Sequence, residues 1–185
     1  MKRSLPIFLT LGEIGEQVHN APEGLRQQTS PSLCQAMLTD LLQRCAALPG
    51  VQAKVCTAYG AGPESSVCAP LDIGALRASL PHGLIIAVDV PTLPIGYLHA
   101  AVTAIRDGQC AWVGGETLAG HWYLWGWGTG GGRTTIPLWY RIHEPGGLER
   151  AQRDLRTGSH APETARVLDH APGAVRTRVG RGMRT

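Results

Sequence analysis

An α/β fold with three layers, α/β/α, around a mostly parallel central sheet is what this sequence predicts. The near-uninterrupted apolar run Leu84-Ile85-Ile86-Ala87-Val88, continued by Asp89 and Val90, has the length and β-branched content of a central strand covered on both faces. Leu33, Met37, Leu38, Leu41, Leu42 and Cys45 recur at three- and four-residue spacing, the period of an amphipathic helix. Strand-like and helix-like segments then alternate over residues 5 to 127, the pattern of right-handed βαβ crossovers.

Each element follows in order. Leu5 to Leu11 is short, apolar and β-compatible, and reads as a first buried strand; Lys2 and Arg3 give it the look of a signal peptide, but Gly12, Glu13 and Glu16 end the apolar run too soon. Residues 12 to 29 read as a long loop. Ser30 suits an N-cap and Pro31 a first helical position, which opens the helix to Leu48; Pro49 and Gly50 stop it. Val51, Ala53, Val55, Thr57 and Tyr59 alternate as a second strand, ended by a turn at Gly60 to Pro63. Leu71 to Leu80 has the length of a short helix without a decisive pattern. After the strand Leu84 to Val90, Pro91 to Pro94 form a turn and Ile95 to Ile105 a second amphipathic helix. Cys110 to Val113 and Trp122 to Trp127 complete the strands. Gly128 and Gly130 to Gly132 read as a flexible linker, and residues 144 to 185 hold few large apolar residues.

The bulk numbers fit one folded domain. The chain has 185 residues, 43% hydrophobic and 17% charged, apolar enough to offset the chain entropy lost on folding. No apolar run approaches the roughly 18 to 20 residues of a membrane span. Cys34, Cys45, Cys56, Cys68 and Cys110 form no CxxC pair, and an odd count suits a disulfide framework poorly, so a cytoplasmic protein is expected. Residues 141 to 185 hold nine Arg against five acids, whereas residues 1 to 140 hold eight basic and nine acidic residues. The expected organisation is therefore an α/β domain over 1–143 and a basic C-terminal tail of low order over 144–185. No aromatic stacking residues accompany the tail arginines, which disfavours nucleic-acid binding.

Open parallel sheets bind ligands at the carboxyl ends of their strands. Asp89 stands at such an end, where a carboxylate can hold a hard divalent cation, or else cap the turn that follows. An acid directly after five apolar residues is costly to bury for capping alone, which favours the ligand-site reading.

Asp89-Val90-Pro91-Thr92-Leu93-Pro94, Tyr97-Leu98-His99-Ala100-Ala101, Gly114, and Gly120-His121-Trp122-Tyr123-Leu124-Trp125-Gly126 follow one another in a telling order and spacing. They resemble the bacterial GT-A-like glycosyltransferases of arsenosugar-biosynthesis type, within the nucleotide-diphospho-sugar transferase superfamily and related to molybdenum-cofactor and phospholactate guanylyltransferases. The resemblance covers roughly residues 5 to 127 and implies a GT-A fold, a nucleotide-sugar donor and a divalent cation, Mg or Mn. It implies donor-site roles for Gly12, Asp89 and Gly120, and Arg26 is read as a donor-binding residue only as a substitute for a missing phosphate grip. Two departures stand out. The family's glycine-rich loop carries a Lys-Thr-Arg segment that grips phosphates, whereas this chain has Gly12-Glu13-Ile14-Gly15-Glu16, with Arg26 the nearest substitute. The family's Asp-Gly-Gly before the aromatic pair is replaced by Ala119-Gly120-His121, so a second acidic site is missing.

His121 can replace that acid as a metal ligand beside Asp89, although a histidine next to Trp122 is more often packed or hydrogen-bonded. Glu116 is the other acid of this loop and reads as exposed. Trp112, Trp122, Trp125 and Trp127 fall within sixteen residues; Tyr123, Trp125 and Trp127 at alternate positions point to one face, as core or as a homodimer interface. No Walker loop, GxSxG elbow, HExxH or paired-cysteine zinc pattern occurs. The function expected is a metal-dependent glycosyltransferase, or a related nucleotidyltransferase, with Asp89 and His121 at the metal. The alternative is a catalytically inactive relative that serves as a binding or oligomeric partner.

Overall fold

The computed structural model describes residues 4–10, 14, 31–56, 72–158 and 161–170. Its strands are β1 (Leu5–Thr10), β2 (Val51–Cys56), β3 (Gly83–Ala87), β4 (Cys110–Thr117), β5 (Trp122–Trp127) and β6 (Gly132–Trp139). Its helices are α1 (Pro31–Ala46), α2 (Ile73–Ser79), α3 (Ile95–Arg106), α4 (Gly147–Arg156) and α5 (Pro162–His170). The architecture is α/β, with one mixed six-stranded sheet in the order β2-β1-β3-β5-β4-β6. β1 pairs parallel with β2 and β3, and β4 parallel with β6; β5 runs antiparallel to both of its neighbours, β3 and β4. Among the described residues no helix is long and apolar enough to cross a membrane.

Strand alternation sorts the core onto the two faces of the sheet. Leu5, Ile7, Leu9, Leu84 and Ile86 join one cluster with Met37 and Leu41 of α1 and Leu98, Val102 and Ile105 of α3. Phe8, Ile85 and Ala87 point the other way and pack with Ile73 of α2, with Trp127, and with the half-buried Leu76, Trp122 and Trp125. The short helix α2 is opened by Asp72, whose Oδ1 accepts from the Ala75 amide at 3.0 Å. That cap resolves the ambiguity of the stretch 71–80.

Three stretches differ from their sequence reading. The glycine run after Trp127 is a close-packed turn into a sixth strand, not a linker: a Cβ on Gly130 would stand 2.2 Å from the Gly108 carbonyl oxygen. Within β5, Gly115 pairs with Leu124 and Glu116 with Trp122, so Tyr123 is an extra, bulged residue. The bulge turns Tyr123 into the core opposite Trp125 and Trp127, where its hydroxyl donates to the Pro137 carbonyl at 2.6 Å. Alternate positions therefore do not share a face here. Residues 147–156 and 162–170, expected as tail, are the helices α4 and α5; Ala151 and Leu168 are buried in the α1/α3 core, with Leu148, Leu155 and Val167 packed against it.

Candidate functional site

Directions in the sheet decide where the chemistry gathers. β3, β4 and β6 end at one edge, and β5, running the other way, begins there. Asp89 after β3, Thr117 at the end of β4, His121 before β5, and Arg141 to Glu144 after β6 consequently meet at that edge. Ile14 reaches the same edge through a bridge to Trp122. Gly12 and Arg26 lie outside the described residues.

Asp89 is wholly buried, and both of its carboxylate oxygens are engaged. The Nε of Arg141, also 0% exposed, donates to Oδ1 at 2.8 Å and Oδ2 at 3.1 Å. Nδ1 of His143 lies 2.5 Å from Oδ2. The Ile142 amide donates to the Asp89 carbonyl at 2.9 Å, so the segment after β6 grips backbone and side chain together. Burial pushes the Asp89 carboxyl up, but the Arg141 charge and the His143 hydrogen bond outweigh it and hold the group below its ordinary value. Asp89 is therefore an anion at neutral pH, neutralised from within the protein.

Neighbouring bonds fix the two strand ends against each other. Thr92, in the turn after Asp89, is hydrogen-bonded to the Tyr140 hydroxyl, which donates to Asp154 Oδ2 of α4 at 2.6 Å. Burial and the Asp154 carboxylate both push the Tyr140 phenol up, so it stays protonated and serves as a donor. On α1, Arg44 Nη1 donates to the Leu93 carbonyl at 2.7 Å and ties the same turn to the first helix.

A second pair stands beside the first. His121 Nδ1 lies 3.0 Å from Glu144 Oε1, which also accepts from Thr117 Oγ1 at 2.6 Å. The His121 amide donates to Thr117 Oγ1 at 3.2 Å, and Gly120, at φ +82°, makes the turn that returns the chain from β4 to β5. The His121 and His143 rings are near-parallel, tilted 25°, with centres 6.4 Å apart. Thus two histidines, each with Nδ1 on a carboxylate, stack at the carboxyl edge. Glu116 is half-buried within β4 rather than exposed on a loop.

The structure thus brings Asp89, Gly120 and His121 to one edge but gives Asp89 different company. Its carboxylate does not cap the following turn; it is closed by Arg141 and His143. These side chains do not fit a cation on Asp89 and His121: the carboxylate is sealed and already counter-charged, and no three His, Cys, Asp or Glu among the described residues could hold a metal. The sequence singles out neither Arg141 nor His143, because both lie between the last expected strand, Trp122 to Trp127, and the tail expected from residue 144, where no local pattern marks them. The available signal was Asp89 itself, since a buried acid demands a cationic partner somewhere in the chain.

The sequence matches no protein-family profile and no curated protein. Among solved structures, a protein from Desulfovibrio desulfuricans G20 assigned as a nucleotide-diphospho-sugar transferase is similar at a TM-score of 0.65 and 15% identity, over 91% of this chain and 95% of that one. A Thermus thermophilus structure described as a hypothetical transferase stands at TM-score 0.40 and 11% identity, covering 68% and 66% of the two chains. A Mycobacterium tuberculosis H37Rv protein in complex with manganese stands at 0.42 and 8%, covering 84% and 100%. At 0.65 over nearly the whole of both chains, the first likeness establishes a shared fold: this chain has the α/β architecture of that solved structure.

Proposed function

We propose that the chain is a glycosyltransferase-like protein that binds a nucleoside-diphosphate sugar at the carboxyl edge of its sheet, without a cation on Asp89. The observation that carries this reading is the buried Asp89–Arg141 pair. In the metal-dependent reading Asp89 presents a free carboxylate to Mg or Mn, whereas here a guanidinium 2.8 Å away, as fully buried as the carboxylate, already supplies its counter-charge. The shared fold supports a ligand at this edge, where sheets of this class bind nucleotides.

Calorimetric titration with UDP, GDP, CDP and dTDP sugars, each with manganese and with EDTA, tests it. The expected result is saturable binding of one base class that EDTA leaves unchanged. Binding that requires manganese would restore the metal-dependent glycosyltransferase. Absence of binding across the panel would leave the partner-protein reading, for which a stable homodimer in sedimentation, weakened by Trp125→Ala, is the matching observation.

A further inference from the structure

The two stacked histidines are not explained by donor binding alone. An ionised carboxylate is only an acceptor, so the Nδ1 facing it carries the hydrogen, and in neutral imidazole Nε2 is then left with its lone pair. This applies to His143 on Asp89 and to His121 on Glu144. Among the described residues neither Nε2 has a hydrogen-bond partner. The His143 side chain is 8% exposed, close to buried, whereas the His121 side chain is 45% exposed at the edge.

Three occupants can be weighed for such nitrogens. A single metal ion held by both would need them within about 4 Å, twice a zinc–nitrogen bond of about 2.0 to 2.1 Å. Near-parallel rings centred 6.4 Å apart do not bring them that close. A phosphate offers only acceptor oxygens and would face lone pairs beside the Glu144 carboxylate. A hydroxyl group, by contrast, donates to a lone pair directly.

We propose that His143 is the general base for transfer of the sugar to a hydroxyl-bearing acceptor, with Asp89 and Arg141 as the positioning residues that hold its ring. This rests on the nucleotide-sugar reading above. The acceptor oxygen forms the new bond to the anomeric carbon, and the electron pair of the old carbon–oxygen bond departs with the nucleoside diphosphate. The hydroxyl proton passes to His143 Nε2, and from the resulting imidazolium to solvent. Asp89 stabilises that imidazolium across the 2.5 Å contact, and the fixed Arg141 keeps the carboxylate in place. Asp89 thus serves the reaction through an imidazole.

Two measurements separate this inference from the reading beneath it. Donor binding is first measured calorimetrically with the same sugar-nucleotide panel; its absence overturns both. Where the wild type binds, nucleoside diphosphate release is followed with glycerol, glucose and serine as acceptors. The expected result is acceptor-dependent release that falls about 10²- to 10⁴-fold in kcat in His143→Gln, with donor affinity unchanged. His143→Ala should regain turnover on addition of free imidazole, which a purely structural role would not produce. Unchanged turnover in His143→Gln, no rescue, or binding without release for any acceptor overturns the inference and leaves donor binding standing. Where neither variant folds, a solvent deuterium effect on wild-type kcat supports proton transfer and its absence overturns it.

Discussion

At the residue scale the protein is organised by one buried charge. Removing one partner of a buried ion pair leaves the other charge uncompensated and costs about 3 to 5 kcal/mol. Asp89→Asn keeps the side-chain volume but strands Arg141, so urea denaturation should show a loss of that size. Adding Arg141→Met should recover part of it, because the stranded charge goes with it. The pH dependence has a definite sign. The Asp89 carboxyl is held below its ordinary value in the folded protein by Arg141 and His143 against the opposing pull of burial. Its contribution is therefore fully present above the unfolded value of about 3.9 and is lost as pH falls through the lower folded value. Urea midpoints of the wild type should decline through this acid range, and the Asp89→Asn variant should decline less steeply. An equally steep decline in both would assign the acid sensitivity to other carboxyls.

At the element scale, what was legible was what repeats locally. α1 and α3 show their buried faces as three- and four-residue spacing, and β3 shows itself as an apolar run covered on both sides. β6 carries no such signal, since it is an edge strand with one buried residue, Ile136, among the exposed Arg133, Thr135, Pro137 and Leu138. Pro137, unable to donate to a ladder, suits an edge position and argues locally against a strand. The same distinction applies to the glycines before it. A flexible linker tolerates alanine anywhere, but a close-packed turn does not. A Cβ at Gly130 would lie 2.2 Å from one backbone oxygen and 2.7 Å from the Cys110 nitrogen, whereas Gly131 has nothing within 4 Å. Gly130→Ala should therefore lower stability by about 1 to 3 kcal/mol, the range for overpacking, while Gly131→Ala stays within about 0.5 kcal/mol of wild type. Paired thermal melts of the two variants decide it; equal, small effects would return the turn to a linker.

At the scale of the whole molecule, the buried group of Asp89, Arg141 and His143 was legible in one residue of three. Asp89 announces itself by the cost of burying it, but Arg141 and His143 come from 52 and 54 positions later, with no periodicity linking them to it. The C-terminal helices are hidden for a related reason. Their stabilising contacts belong to other elements: the Asp40 carboxylate of α1 accepts from the Glu163 and Thr164 amides at 3.1 and 2.8 Å and from the Thr164 hydroxyl at 2.6 Å, capping α5 across 124 residues of sequence. α5 itself has a proline, not an Asp or Ser, at its start. A chain ending at Gly146 tests what these helices contribute. It would lose the buried Ala151 and Leu168, uncover the face of α1 that they cover, leave Asp40 without its donors, and free the Tyr140 hydroxyl from Asp154. A buried leucine contributes roughly 1.5 to 3 kcal/mol and a hydrogen bond to a charged group about 1.5 to 3. The sum is on the order of 5 kcal/mol or more, against a typical total of about 5 to 15. The truncated chain should consequently lose its cooperative thermal transition and bind a hydrophobic dye, because the Tyr140–Thr92 contact that steadies the Asp89 turn loses its outer support. A sharp transition within a few degrees of the full chain would instead make the first 146 residues a self-sufficient domain and α4 and α5 an appendage.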